Sequence, residues 1–119
     1  MNDTERFANA MAAVRRGLLM AAIAGVRESY RIAFGSRPED INDGNCEGFA
    51  IDVKRMVPFV EVWGGDHYAL GLDGRWYDAE DPVGVDDWRR LRCFQREFAR
   101  GLRMVEFKLV EPAAEELRT

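Results

Sequence analysis

Apolar residues recur at helical steps along the first third of the chain. Phe7, Met11, Val14, Leu18, Ala21, Val26 and Tyr30 are separated by three to five positions, mostly three and four, which predicts one long helix with these residues on its inner face. Asp3 or Thr4 is placed to cap its start, and Gly35 with Pro38 to stop it. Gly17 and Gly25 within it mark a bend or the close approach of a neighbour. Residues 35–45 read as a polar loop. A second helix begins at Asn45 or Cys46, carries Phe49, Ala50, Val53 and Val57 on one face, and ends at Pro58.

The pattern then changes to short, strand-like runs. Phe59–Trp63 is one, with Gly64-Gly65 as a turn. His67–Leu72, Asp73-Gly74 and Arg75–Ala79 read as a hairpin, because Asp-Gly suits a two-residue type I′ turn. Asp86 is placed to cap a further helix bearing Trp88, Leu91, Phe94 and Phe98. Val105, Phe107 and Leu109 alternate with Met104, Glu106 and Lys108 as a last strand. The order α-α-β-β-β-α-β predicts an α+β fold, with helices packed on one small, mainly antiparallel sheet. A single domain over residues 1–110 is expected, followed by a polar, frayed tail over 111–119.

Composition narrows the function. The chain has 119 residues, 47% hydrophobic and 32% charged, which suits one folded domain. Its net charge is −4 and its basic residues are scattered, the arginines at 15, 16, 27 and 31 reading as a solvated helix face, so no nucleic-acid partner is expected. Two cysteines are too few for a disulfide scaffold and suit a reducing, cytoplasmic location. The run Gly17–Val26 follows Arg15-Arg16 and has the length of a signal-peptide core. Asp3 and Glu5 are acidic, however, and the apolar pattern continues beyond both ends, which favours a helix of the fold. That run is too short to span a membrane, and no membrane partner is expected.

The hairpin carries geometry. A loop of Asp73 and Gly74 pairs Leu72 with Arg75, Gly71 with Trp76 and Leu70 with Tyr77; continued outward, Ala69 faces Asp78 and His67 faces Glu80. Side chains alternate, so His67, Ala69, Gly71, Trp76, Asp78 and Glu80 share a face. Asp78 is the diagonal neighbour of His67, the only histidine. Glu80 and Asp81 are the alternative partners for that ring. Cys46 opens a helix, where unpaired N–H groups and the helix dipole lower a thiol's pKa. A nucleophilic cysteine needs an imidazole to take its proton and a carboxylate to orient the imidazole; Cys46, His67 and Asp78 supply those parts. The plainer alternative makes Cys46 a structural thiol. Cys93, inside an apolar helical pattern, reads as core or half-buried. Cys46, His67 and Asp78 have the ligand types of a zinc site, but the chain has no second histidine and no Cys-x-x-Cys pair, which disfavours it. The loop Asp40–Gly44 lacks a calcium-loop spacing, with Ile51 where a bidentate glutamate belongs. No metal is expected. Trp76, on the shared face, is a candidate wall of a substrate cleft.

The segments GNCEGFA and DHYALGLDGRWYDAE resemble the core of the papain-like superfamily, in particular its transglutaminase-like branch, over residues 43–81. The resemblance implies a papain-like fold in which Cys46 is the nucleophile, His67 the general base and acid, and Asp78 the orienting residue. It implies a hydrolase of the thiol-protease or amidase type, acting on a peptide, amide or acyl substrate through a thioester and needing no cofactor. The papain branch places a glutamine shortly before its cysteine to complete the oxyanion hole, whereas the only glutamine here is Gln95. The N–H of Cys46 is one candidate donor, with Asn42 and Asn45 as candidates for the second. The competing expectation is an inactive descendant of that fold serving as a binding or interaction module. The missing glutamine and the spacing of only 21 positions from Cys46 to His67 favour it.

Overall fold

Asn2 accepts the Glu5 N–H at 2.8 Å and so starts α1 (Asp3–Phe34), one residue before the expected cap. Gly35, at φ 66°, ends it by donating its N–H to the Arg31 carbonyl at 2.9 Å. The computed structural model describes residues 1–101 and 105–118. One departure from the expected order follows α1. The expected loop contains a single-turn helix, α2 (Pro38–Asn42), which opens on a proline and buries Ile41. The second long helix, α3 (Cys46–Met56), begins at Cys46 and turns Phe49, Ala50 and Val53 inward, as the pattern predicts.

The face of α1 that docks matches the expected one at Val26 and Tyr30 and differs from it before them. Leu19, Ala22, Ile23 and Val26 are buried, whereas Phe7, Met11, Val14 and Leu18 are exposed. The helix has two apolar stripes about one residue apart in register. Only its second half lies over the core, and there the stripe through Leu19 and Ile23 meets α3. Gly17 and Gly25 have no neighbouring atoms where a Cβ would sit, so neither marks a close approach. By length and composition α1 is apolar enough to cross a membrane, although the run Gly17–Val26 alone is too short. Arg15 pairs with Asp73 at 3.3 Å and Arg16 donates to the Val83 carbonyl at 3.3 Å, so these two arginines tie α1 to the hairpin side of the fold.

Four strands, β1 (Glu61–Gly65), β2 (Ala69–Leu72), β3 (Arg75–Tyr77) and β4 (Phe107–Val110), form an antiparallel sheet in the order β3-β2-β1-β4. The fold is thus α+β with a small antiparallel sheet. The hairpin register is the expected one, Leu72 with Arg75, Gly71 with Trp76 and Leu70 with Tyr77. Asp73 and Gly74 both have positive φ, 49° and 75°, as a type I′ turn requires. Beyond Tyr77 the expected ladder fails. Asp78 accepts the N–H groups of Glu80 and Asp81 on Oδ1, at 3.0 and 2.9 Å, and this turns the chain away before Ala69–Asp78 or His67–Glu80 can pair. At the other end, Gly64 and Gly65 continue β1 instead of forming a turn. The Tyr68 ring lies where a Gly64 side chain would be, 2.5 Å from an ideal Cβ, so any side chain there must displace that ring.

The helix expected after Asp86 is divided. Asp87 caps a 3₁₀ turn (Trp88–Arg90) through the Arg89 N–H, and α4 (Arg92–Ala99) follows a break at Leu91. Asp81 accepts the Arg92 N–H at 2.9 Å and so caps the start of α4. Val105 precedes β4, and Met104 lies outside the described residues. Within the tail, Ala114–Leu117 forms a 3₁₀ turn.

Two apolar clusters hold these elements. The larger joins α1 and α3 to the sheet through Leu19, Ile23, Phe49, Val53, Val62 and Leu70. The smaller is built on Ala69, Leu91 and Phe94, with Trp76, Trp88 and Phe107 packed against it. Each large side chain buried in this way contributes roughly 1.5–3 kcal/mol. Phe94 anchors α4, and α4 forms one wall of the site.

Candidate active site

Cys46 is the first residue of α3, so its thiol stands at the positive end of that helix. The sulfur meets the ring of His67 and the backbone N–H groups of Tyr68 and Glu47. Burial pushes this thiol up, but those three contacts outweigh it, and Cys46 titrates below an ordinary thiol. The thiol is half-buried and remains open to a ligand.

His67 and Asp78 sit just off the strands. His67 lies in the bend before β2, and Asp78 is the first residue after β3. The bend is fastened by Asp66, whose N–H donates to the Glu106 carbonyl at 2.9 Å and whose carboxylate accepts the Glu106 N–H at 2.6 Å. Both functional side chains are buried, 2% and 1% exposed, with His67 Nε2 2.9 Å from Asp78 Oδ2. Phe94 packs edge-on to the imidazole, with ring centroids 5.5 Å apart and planes at 88°. The ring is thereby held on three sides. Its Nδ1 has no hydrogen-bond partner of ordinary geometry among the described residues. Two thiols, Cys46 and Cys93, lie against the ring without closing such a bond, a looseness common in unliganded sites. Burial disfavours the imidazolium, but Asp78, Cys46 and Cys93 outweigh it and hold His67 well above the ordinary imidazole range. A lowered thiol beside a raised imidazole favours the thiolate–imidazolium form of the pair over the neutral one.

Glu80 does not share the ring. Its side chain accepts Asn42 Nδ2 at 2.9 Å and a two-pronged contact from Arg96 at 2.7 and 2.5 Å. Arg96 first, and Asn42 with it, lowers the Glu80 carboxyl against its burial. Asp81 serves α4, as described. Of the three acidic candidates, the structure brings only Asp78 to His67.

An open cleft of about 1020 Å³ gives access to this centre, walled in part by Cys46, His67, Cys93, Asn42, Glu80 and Phe94. Asn42 is buried with one amide N–H on Glu80, while Asn45 is exposed at the start of α3 and is not among the cleft walls. Trp76 stands away from the cleft. Its indole packs against Trp63, centroids 5.7 Å apart, within the smaller apolar cluster. Among the described residues, no group of three His, Cys, Asp or Glu side chains is arranged to hold a metal ion.

No family model, curated protein or solved structure matches this chain. The site must be read from its own geometry. That geometry adds two residues to the sequence reading. Cys93 faces the cleft and the ring, although it occupies an apolar helical pattern. Arg96 closes on Glu80 across the cleft wall. Neither position carries a local signal, because both depend on where Asp81 starts α4.

Proposed function

We propose that this protein is a cysteine-dependent acyl-transfer enzyme of papain-like, transglutaminase-like type, hydrolysing a peptide or amide through a thioester. The observation that carries this reading is the convergence of a helix-start thiol, a buried imidazole and a buried carboxylate on one open cleft. The Cys46 thiolate attacks the substrate carbonyl carbon, and the carbonyl oxygen takes the negative charge. As the first residue of α3, Cys46 has no carbonyl a turn earlier in its helix to occupy its N–H, which makes that N–H the first oxyanion donor. The tetrahedral adduct collapses as the His67 imidazolium protonates the departing amine, leaving a Cys46 thioester. Neutral His67 then takes a proton from water, hydroxide attacks the thioester, and the acid leaves as Cys46 regains its resting state. Asp78 keeps the ring proton on Nε2 throughout, so that Nδ1 serves Cys46.

The test is covalent. An aldehyde or activated ester of a short peptide, added to the intact chain, should give one adduct per protein on Cys46. His67→Ala should slow its formation by about 100-fold or more, in line with the loss of general-base assistance. Adduct formation at equal rates in both proteins, or on neither, would remove the enzymatic reading and leave a binding module.

A further inference from the structure

The chain has two cysteines and one histidine, and the fold brings both thiols to that one ring. Cys46 arrives on the first turn of α3 and Cys93 on the first turn of α4. These helices are joined to the ring independently, α3 through the Cys46 contact and α4 through Phe94, the neighbour of Cys93. Both thiols are half-buried, and both wall the same cleft. Acyl transfer uses only one of them. A second thiol at a nucleophilic site is a hazard unless it has work to do, since it can intercept what the first thiol forms.

We infer that Cys46 and Cys93 form a redox pair that reduces a hydroperoxide and stores the product as a disulfide across the cleft. The inference shares with the proposed acyl transfer the Cys46 thiolate and His67 as the proton carrier, and differs from it in the electrophile and in the use of Cys93. The thiolate attacks the distal oxygen of the hydroperoxide, and the O–O bond breaks. Sulfur is oxidised to the sulfenic acid, the peroxide is reduced, and the alkoxide or hydroxide leaves with the proton of the His67 imidazolium. Neutral His67 next takes the proton of Cys93. The Cys93 thiolate attacks the Cys46 sulfur, an S–S bond forms, and hydroxide departs with that proton as water. An external dithiol restores both thiols by exchange. While the disulfide lasts, Cys46 cannot attack a carbonyl, so the oxidised protein is silent in acyl transfer.

The experiment uses the full chain, hydrogen peroxide as the probe, and intact mass with peptide mapping as the readout. The wild type should lose two hydrogens, refuse iodoacetamide at both cysteines, and yield a cross-linked Cys46–Cys93 peptide pair, all reversed by dithiothreitol. Cys93→Ser should instead give a dimedone-trappable sulfenic acid on Cys46, which excess peroxide carries on to the irreversible sulfinic acid. The wild-type cross-link decides the matter without any variant. Absence of the cross-linked pair while Cys46 gains oxygen, disulfides only between separate chains, or two thiols still alkylated after peroxide would each overturn the inference. Failure of the covalent acyl adduct, with the disulfide formed, would count against the proposed acyl transfer alone.

Discussion

Replacing Asp78 by asparagine changes one atom at the centre of the site and separates two roles of that carboxylate. Oδ1 accepts two backbone N–H groups, from Glu80 and Asp81, while Oδ2 faces His67 Nε2 at 2.9 Å. Asparagine has only one oxygen. If it stays under the two backbone donors, the new NH₂ group points at Nε2, which must then accept, and the ring proton moves to Nδ1. An imidazole protonated on Nδ1 when neutral cannot take the Cys46 proton. If the amide flips to save the ring, its NH₂ meets two N–H donors and both backbone bonds are lost. The first arrangement keeps two more bonds, worth about 2 kcal/mol together. It forfeits the charge-assisted contact behind the ion pair, worth about 1.5–3 kcal/mol. That corresponds to a loss of about 10- to 100-fold in Cys46 reactivity. The assay is the second-order rate of iodoacetamide labelling at pH 6.5, mapped to Cys46, with circular dichroism to verify folding. Glu80→Gln is the control, because Glu80 serves Asn42 and Arg96, and its rate should stay within about twofold of wild type, an effect below 0.5 kcal/mol. A folded Asp78→Asn protein labelled at the wild-type rate, with a large loss in Glu80→Gln, would refute the assignment.

The pH profile follows from the same pair. Cys46 is lowered, so its labelling rate should persist below the ordinary thiol range and fall only as pH drops through the lowered value; His67→Ala should return the profile toward that of a free thiol. His67 is raised, so its contribution to stability is complete below the unfolded imidazole value of about 6.5 and is lost as pH rises through the raised folded value, a decline that urea titration should show in the wild type and not in His67→Ala. Gly74 sits at φ 75° with open space around it, so Gly74→Val isolates backbone strain and should cost about 1–3 kcal/mol; an unchanged melting temperature would contradict the type I′ turn. Arg96→Ala leaves the largely buried Glu80 carboxylate with Asn42 alone and should destabilise by about 1–3 kcal/mol in denaturant titration, with recovery in the double variant carrying Glu80→Gln.

How far the sequence reached depends on the range of the forces involved. The I′ turn, the hairpin register and the start of α3 at Cys46 follow from neighbours within a few residues, and they were legible. So was the meeting of His67 with Asp78, although the route to it was wrong. The ladder was expected to continue to Glu80. In fact Asp78 itself ends it by capturing two N–H groups, a side-chain event that alternation of apolar and polar residues cannot express. The docking face of α1 holds at Val26 and Tyr30 but not before them, because Phe7 to Leu18 and Leu19 to Val26 both have helical spacing, and only the position of α3 chooses between them. Cys93 and Arg96 were invisible for a similar reason. Their roles come from a helix whose start is fixed by Asp81, eleven positions upstream of Arg92.

α1 also sets up two regimes of amide exchange within one helix. From Asp3 to Leu18 it buries no residue, and among the described residues the side-chain hydrogen bonds of this stretch to the body of the fold are those of Arg15 and Arg16. The segment is sustained by the Asn2 cap and by intrinsic propensity, with alanines at 8, 10, 12 and 13. A helix of that length alone is marginal in water. Its amides should open by fraying from the N-terminus, at a free energy unrelated to that of the domain. Around Leu19 and Ile23 the same hydrogen-bonded ladder enters the core, and those amides should exchange only when α3 and the sheet come apart. The protection boundary falls inside a continuous helix, near Leu18, where no change in secondary structure marks it.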